Sequence, residues 1–556
     1  MATVANHETD CLPSVGELSV KVDCLPFSQI PHTTKLFLDF LSYSPKIRGF
    51  YPASPVFPDW LKEIRAYDSA RRQRVSDVLE RQNRSWTASP KSLANIERLR
   101  AGASAVVTGQ QVGLFGGPFF SLLKALTAVK LAEEATAAGV DAVPIFWLAT
   151  NDHDLAEVNH TAILSPEGLR KIATPSHGIN DDAPVGTVTF GTEIEDAVKT
   201  AIDALGPVPA MDLLRESYRP GENLGSAFAR LFARLFSEFG VILMDPSDAD
   251  LYAIAQPIYK AAIERVREID DALLARGKEL ESAGYHQQVK VTPSSTLLFM
   301  VKDGARIPIH RRTNGNGTPE FLIGEEKLSQ DQLLKHIAEK PDDFSPNVLL
   351  RPIVQDHLLP TLAYTGGSAE VAYFAQVGVV YEKLLGRVTP IVPRLSATIV
   401  EKKTKSLLER YRLDLTDAFH GEDALREKAA ASTFPEELQA AFDQAAQSLD
   451  QSLGMVKHAL GRLDKTLVEA ADNAASKMQH QLESLRARAA RAEARQSEII
   501  GRHAQQLSNS LFPNKTLQER EIGAIYFLAR YGVEFLQTLH DTLQTSCHDH
   551  QVVSFD

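Results

Sequence analysis

The sequence predicts an α/β fold with insertions, followed by a long antiparallel α-helical coiled-coil arm. Three observations carry that prediction. Residues 103–149 run through a buried-strand pattern, a helical pattern and a second buried-strand pattern. Strand-like segments then recur among helices as far as Pro393. Beyond Pro393 the composition shifts to Ala, Glu, Lys, Arg, Gln and Leu, with apolar residues at steps of three and four.

The elements follow in order. Prolines at 26, 31, 45, 52, 55 and 58 break up the lead-in. A polar helix fits 60–82 and another fits 90–101. Residues 103–107 are short, apolar and partly β-branched, as a buried strand would be. A glycine-rich loop spans 108–118, and Pro118 suits the first turn of a helix over 119–138. Residues 142–149 (AVPIFWLA) form the second strand. Strand, helix, strand of this length makes a βαβ unit with parallel strands. The alternation over 185–190 predicts a further strand, and a helix over 227–239 leads into one at 241–244. Segments 297–301 and 306–310 flank Asp303-Gly304, a hairpin signal. The PIVPR segment (390–394) forms the hinge into the arm. From there to about 506 the only proline is Pro435. Leu449, Leu453, Val456, Leu460, Leu463, Leu467, Ala470 and Ala474 form an a/d seam, continued after a stutter by Met478, Leu482 and Leu485. Two long antiparallel helices fit this region, with a break over 419–434. Three domains are expected: a core over 1–393, the arm over 394–506, and a tail over 507–556 that packs back on the core.

Composition narrows the function classes. The chain has 556 residues and a net charge of -12, so its surface as a whole does not attract nucleic acid. No stretch approaches 18 uninterrupted apolar residues, so no membrane span is expected. The start lacks a charged region followed by an apolar run, so no secretory signal is read there. Cys11, Cys24 and Cys547 are far apart in sequence, which suits a reducing, cytoplasmic setting rather than a disulfide scaffold. No CxxC, HExxH, GxSxG or Walker A motif occurs, and no metal site is expected.

Three polar clusters remain. Thr108, Gly109, Gln110, Gln111, Gly116 and Gly117 precede a helix that carries Lys124. Glycine-freed amides at a helix start can bind an anion, although a tight packing turn would have the same sequence. Asp152, His153 and Asp154, with Asn159 and His160 behind them, follow the second strand. They could serve as a base or orient an amine; an N-cap cluster is the plain alternative. Arg351 and Gln355 precede Gly366, Gly367 and Ser368. Arg351 could clamp a carboxylate or phosphate, or be a buried structural arginine. The first two clusters leave neighbouring strands at the same sheet edge, where ligands bind in open α/β sheets.

TGQQVGLFGGPFFSLLK (108–124), FWLATNDHDLAEVNH (146–160), SPNVLLRPIVQDHLLPTLAYTGGSAEVAYFAQ (345–376), IVPR (391–394) and LFPNKTLQER (511–520) together resemble the bacillithiol biosynthesis cysteine-adding enzyme family. The resemblance runs through these blocks in order over nearly the whole chain. It implies a Rossmann-like core and a coiled-coil arm that supports a homodimer. It also implies a ligase that couples the carboxyl of cysteine to the amine of glucosaminyl-malate. Amide formation from a free carboxylate is uphill, so ATP with Mg²⁺ is the expected means of activation. On this reading the 108–118 loop and Lys124 hold phosphates or the malyl group. Asp152, His153 and Asp154 position the amine and take its proton, so Asp152→Asn and Asp154→Asn should both cost turnover. Two rivals stay open: a ligase or nucleotidyl transferase for another small substrate, and a non-enzymatic coiled-coil scaffold.

Overall fold

A computed structural model describes residues 20–64, 66–165, 167–174, 183–313, 319–432, 436–496 and 498–555. Cys11, Pro435 and the segment read for a secretory signal up to residue 19 lie outside them. The chain divides into two units. The first takes the described residues of 1–163, 170–398 and 519–553; the second takes those of 164–169, 399–518 and 554–556.

The first unit is built on a five-stranded sheet. Its strands are β1 (Ser104–Gln110), β2 (Ala142–Leu148), β3 (Ile242–Met244), β4 (Thr361–Gly366) and β5 (Ile391–Pro393). Their spatial order is β5-β4-β1-β2-β3, and every neighbouring pair is parallel. β2 is buried at every position, which is why its sequence is a continuous apolar run rather than an alternation. Helix α1 (Phe120–Ala137) joins β1 to β2. Its Ala128, Leu131, Ala132 and Ala135 pack with Val106, Ala142, Leu362 and Val392 from four strands, and Trp60 and Leu61 join the cluster. The small alanines let the helix lie close to the sheet. Helices α2 (Arg351–Leu358) and α3 (Ser368–Leu385) flank β4 in sequence. The chain runs outward from β1 through β2 to β3, then returns to the other side of β1 as β4 and β5. The crevice beyond the carboxyl ends of β1 and β4 is therefore a topological switch point.

The hairpin expected at Asp303-Gly304 is present. Ser295–Lys302 pairs antiparallel with Ala305–Thr313, and both turn residues have positive φ, 50° and 76°. These strands belong to a second, antiparallel sheet of five. Other expectations fail. Residues 185–190 do not form a strand; Val185–Thr187 is a 3₁₀ turn. Its amides are spent on the loop after β2, with Val185 N donating to Asp152 O (2.7 Å) and Gly186 N to Thr150 O (2.9 Å). The 60–82 helix begins late, at Ser69, because the Asp68 side chain caps it. The separation of the cysteines in sequence does not keep them apart. Cys24 and Cys547 are joined as a disulfide, with Cα atoms 6.9 Å apart.

In the second unit, Glu436–Leu463 and Leu467–Gln496 form an antiparallel hairpin. Lys457 pairs with Asp472 (2.5 Å), and Gln479 donates to Asp450 (2.7 Å), so the partners walk in opposite directions. The seam read as continuous through Leu463 and Leu467 in fact crosses a turn, where Asp464 accepts from Thr466 N (2.8 Å). Val456 and Leu463 on that seam are 51% and 78% exposed. No helix among the described residues is long and apolar enough to cross a membrane.

Candidate active site

The carboxyl ends of all five parallel strands open into one cleft of about 610 Å³. Gln110 and Gln111 enter from β1, Asn151 and Asp152 from β2, and Pro246 from β3. Gly367 and Glu370 enter from β4, and Arg394 from β5. The antiparallel sheet adds Phe299 and Arg306, and Arg520 comes from the C-terminal segment of the same unit.

One end of the cleft is cationic. Lys124, only 3% exposed, donates to Gly109 O (2.7 Å) and Gln110 Oε1 (2.8 Å), and pairs with Glu370 (2.8 Å). All three of its protons are used. Burial pushes the ammonium down to about 8 despite Glu370 beside it. Glu370 also accepts from Gly367 N (2.8 Å) and Tyr364 Oη (2.5 Å). Burial works against its charge, but Lys124 and these donors outweigh burial and hold the carboxyl below its ordinary value. Arg351 donates to Tyr373 Oη (2.6 Å). The Phe120 ring stands among three cations: Arg394 at 5.1 Å, Lys124 at 5.7 Å and Arg520 at 5.8 Å.

The other end is an acidic rim. Gln111 Nε2 donates to Asp152 Oδ2 (2.9 Å) and Glu157 Oε2 (2.7 Å), so the loops after β1 and β2 meet there. Asp152 Oδ1 accepts from His153 N (2.8 Å) and lies 3.9 Å from Arg306. Arg306 stacks 3.9 Å over the Phe299 ring and donates to Ser345 Oγ (2.9 Å) and Pro346 O (2.8 Å). It also reaches His153 Nδ1 (3.1 Å). Arginine can only donate, so Nδ1 accepts and the neutral ring carries its proton on Nε2. In this arrangement Nδ1 is occupied by Arg306 and lies 3.6 Å from Asp152 Oδ1, so the ring presents only its Nε2 proton.

The other sequence-selected residues are placed elsewhere. Asp154 is exposed and caps the helix Leu155–Val158 by accepting from Glu157 N (3.1 Å). Asn159 Oδ1 bonds to His160 Nδ1 (3.2 Å), and neither residue lines the cleft. Thr108 is buried in β1 and donates to Thr365 O (2.9 Å). Gln355 is fully buried in α2, beside Asp356. Gly366 ends β4, and Ser368 opens α3 without lining the cleft.

The glycine turn is a correction in its own right. Gly116 N faces Tyr218 Oη (3.2 Å), Gly117 N donates to Leu114 O (3.1 Å) and Gly113 N to Gln111 O (3.0 Å). Those amides are committed, and Gly116 packs against Leu231, Phe232 and Ala524. With the Lys124 protons also spent, this turn does not fit a phosphate chain. Its glycines serve close packing and positive φ, 90° at Gly116 and 68° at Gly117. Sequence reading missed Arg306, Glu370, Arg394 and Arg520 as cleft residues. Arg394 and Arg520 stand within the conspicuous blocks IVPR and LFPNKTLQER, the only signal available for them.

A Rossmann-like core with a charged cleft at its switch point defines a class of α/β enzyme that acts on small molecules. Residues 20–395 match the family model described as "Bacillithiol biosynthesis BshC, N-terminal Rossmann-like domain". Residues 397–555 match the model for the BshC C-terminal coiled-coil domain. A protein of Koribacter versatilis named "Putative cysteine ligase BshC" is 49% identical over 538 residues, covering 96% of this chain and 99% of that one. Proteins of the same name from Solibacter usitatus and Salinibacter ruber are each 35% identical. They cover 95% and 93% of this chain, and 99% and 96% of their own lengths. The chain belongs to the BshC family of bacillithiol biosynthesis and is an enzyme of the ligase class.

Proposed function

We propose that this ligase joins the carboxyl of cysteine to the amine of glucosaminyl-malate. The observation that carries the reading is the polarity of the cleft. Four cations (Lys124, Arg351, Arg394 and Arg520) share one end with Glu370, and Glu519 lies behind Arg394. Two positive charges are left over, which suits a dicarboxylate such as the malyl group. At the rim, Asp152 and Glu157 outnumber Arg306 by one negative charge, which suits an ammonium group. The relatives' printed name supplies cysteine as the other partner.

In this mechanism Arg351, Arg394 and Arg520 hold the malyl carboxylates. That anchoring turns the sugar amine toward the rim. Asp152 accepts a proton from the ammonium, and the freed amine attacks the carboxyl carbon of cysteine. The new C–N bond forms as the carboxyl's leaving group departs and the nitrogen passes its second proton to Glu157. A nucleoside triphosphate with Mg²⁺ would supply the activation by making that leaving group a phosphate or AMP. With the malyl group bound, Arg306 is the cleft arginine left to face the nucleotide's phosphates, which the glycine turn does not fit.

The protein works as a homodimer, with a second copy covering the exposed apolar residues of the arm, and its cytoplasmic setting rests on the biosynthetic family rather than on the cysteines. The chemical test incubates pure protein with cysteine and glucosaminyl-malate, with and without ATP and Mg²⁺. Mass spectrometry should find the amide product, with AMP or ADP formed in step with it. Absence of product under all conditions overturns the reading.

A further inference from the structure

Arg394 reaches the cleft from the end of β5, and its guanidinium is held from behind. It donates to Leu395 O (2.6 Å) and to Glu519 Oε1 (2.6 Å). Glu519 is fully buried. Burial disfavours its charge, but Arg394 and the surrounding donors outweigh that and hold the carboxyl below its ordinary value. As an ionised carboxylate it can only accept. It accepts from Ser396 Oγ (2.9 Å) and Ala397 N (2.8 Å) besides Arg394.

This fixes the direction of every bond behind it. Ser396 has one hydroxyl proton and gives it to Glu519, so toward His550 Nδ1 (2.8 Å) it must accept. The imidazole therefore carries a proton on Nδ1. Burial pushes His550 down to about 4, so at neutral pH that proton is its only one. Nε2 then accepts from Thr398 Oγ1 (2.8 Å). The four groups are 3% exposed or less, and no other hydroxyl or imidazole arrangement satisfies all of them.

We propose that Glu519, Ser396 and His550 form a positioning relay that holds the Arg394 guanidinium in place for the anionic end of the substrate. The proposal rests on the functional reading above for the identity of that anion. These residues touch no substrate; they act through Arg394.

His550→Asn and His550→Gln separate the relay from mere packing. The Asn amide nitrogen stands close to where Nδ1 stood and can still donate to Ser396, whereas the Gln nitrogen stands near Nε2. Two readouts are taken on full-length protein, with thermal melting as the control for folding. The first is the rate at which phenylglyoxal modifies Arg394, followed by peptide mass spectrometry, which needs no substrate. His550→Gln, Ser396→Ala and Glu519→Gln should speed it severalfold, and His550→Asn should leave it near wild type. The second is kinetics. The same three variants should raise KM for glucosaminyl-malate about tenfold, the worth of one charge-assisted hydrogen bond, with kcat little changed. Folded His550→Gln and Glu519→Gln proteins with wild-type Arg394 reactivity would overturn the relay. So would His550→Asn behaving like His550→Gln. A wild-type protein that never uses glucosaminyl-malate would defeat the functional reading instead, and the phenylglyoxal rates would still decide the relay.

Discussion

Asp152 and Asp154 look equivalent in sequence, and Asp152→Asn and Asp154→Asn should now behave differently. The side chain introduced by Asp152→Asn keeps an oxygen to accept from His153 N, but its amide faces the Gln111 amide that donates to Asp152 at 2.9 Å. Gln111 can relieve that clash by flipping, at the expense of its bond to Glu157. Asp152 is 35% exposed at its side chain, so the loss of stability should be about 1 kcal/mol or less. The loss of a proton acceptor is a different matter: general-base catalysis contributes about 10²–10⁴-fold, or about 3–5 kcal/mol of barrier. Asp154 only caps a helix, and Asn caps as well as Asp, so Asp154→Asn should change neither quantity. The assay is product formation under saturating substrates, with urea unfolding of the same preparations. Asp152→Asn with turnover within twofold of wild type would refute the assignment of the base. Asp154→Asn as damaging as Asp152→Asn would show that the geometry of the rim had been misread.

Other expectations follow from the same geometry. Glu370→Gln leaves the buried Lys124 ammonium without its counter-charge and should destabilise by about 3–5 kcal/mol, while Lys124→Met with Glu370→Gln should recover part of that in urea unfolding. Lys124 is held at about 8, below its ordinary 10.5, so the unfolded chain binds more protons between those values and stability should rise with pH across that window. Lys124→Met should flatten this rise; an unchanged slope would mean that Lys124 is not its source. Gly116→Ala, at a φ of 90°, should cost about 1–2 kcal/mol of stability while leaving KM alone. A raised KM without loss of stability would return the turn to a ligand-binding role. Replacing 436–496 by a short linker should halve the mass seen by light scattering; an arm-deleted dimer or an intact monomer would refute the arm as interface.

What was legible in the sequence divides along a physical line. β1, α1 and β2 are marked by burial, because an apolar run between a glycine-rich loop and a helix has few other ways to fold. The meeting of the loops after β1 and β2 follows from parallel pairing, which places consecutive βα turns at one edge. The turn at Asp464–Thr466 was hidden because its flanking leucines keep a heptad spacing straight through it, and spacing alone does not say that a helix has reversed. Arg306 was hidden for a related reason. It stands in a strand among Arg311 and Arg312, and pattern cannot tell that one of the three stacks on Phe299 inside a cleft while Arg312 pairs with Glu320 at the surface.

The cationic end illustrates the deeper limit. Arg394 and Glu519 are 125 positions apart, yet they share a 2.6 Å hydrogen bond. Each alone reads as an ordinary charged residue at the end of an element. Only the return of 519–553 into the first unit makes them a pair, and it sets Arg520 at the mouth of the same cleft. The segment beyond the arm is therefore part of the ligand-facing machinery. The double variant Glu519→Gln, Arg520→Gln removes one charge of each sign, so the net charge of this end stays the same. If net charge alone held the dicarboxylate, its binding measured by calorimetry would not change. Because Arg520 lines the cleft and Glu519 holds Arg394 from behind, the folded double variant should instead bind it more weakly, even though β1 to β5 are untouched.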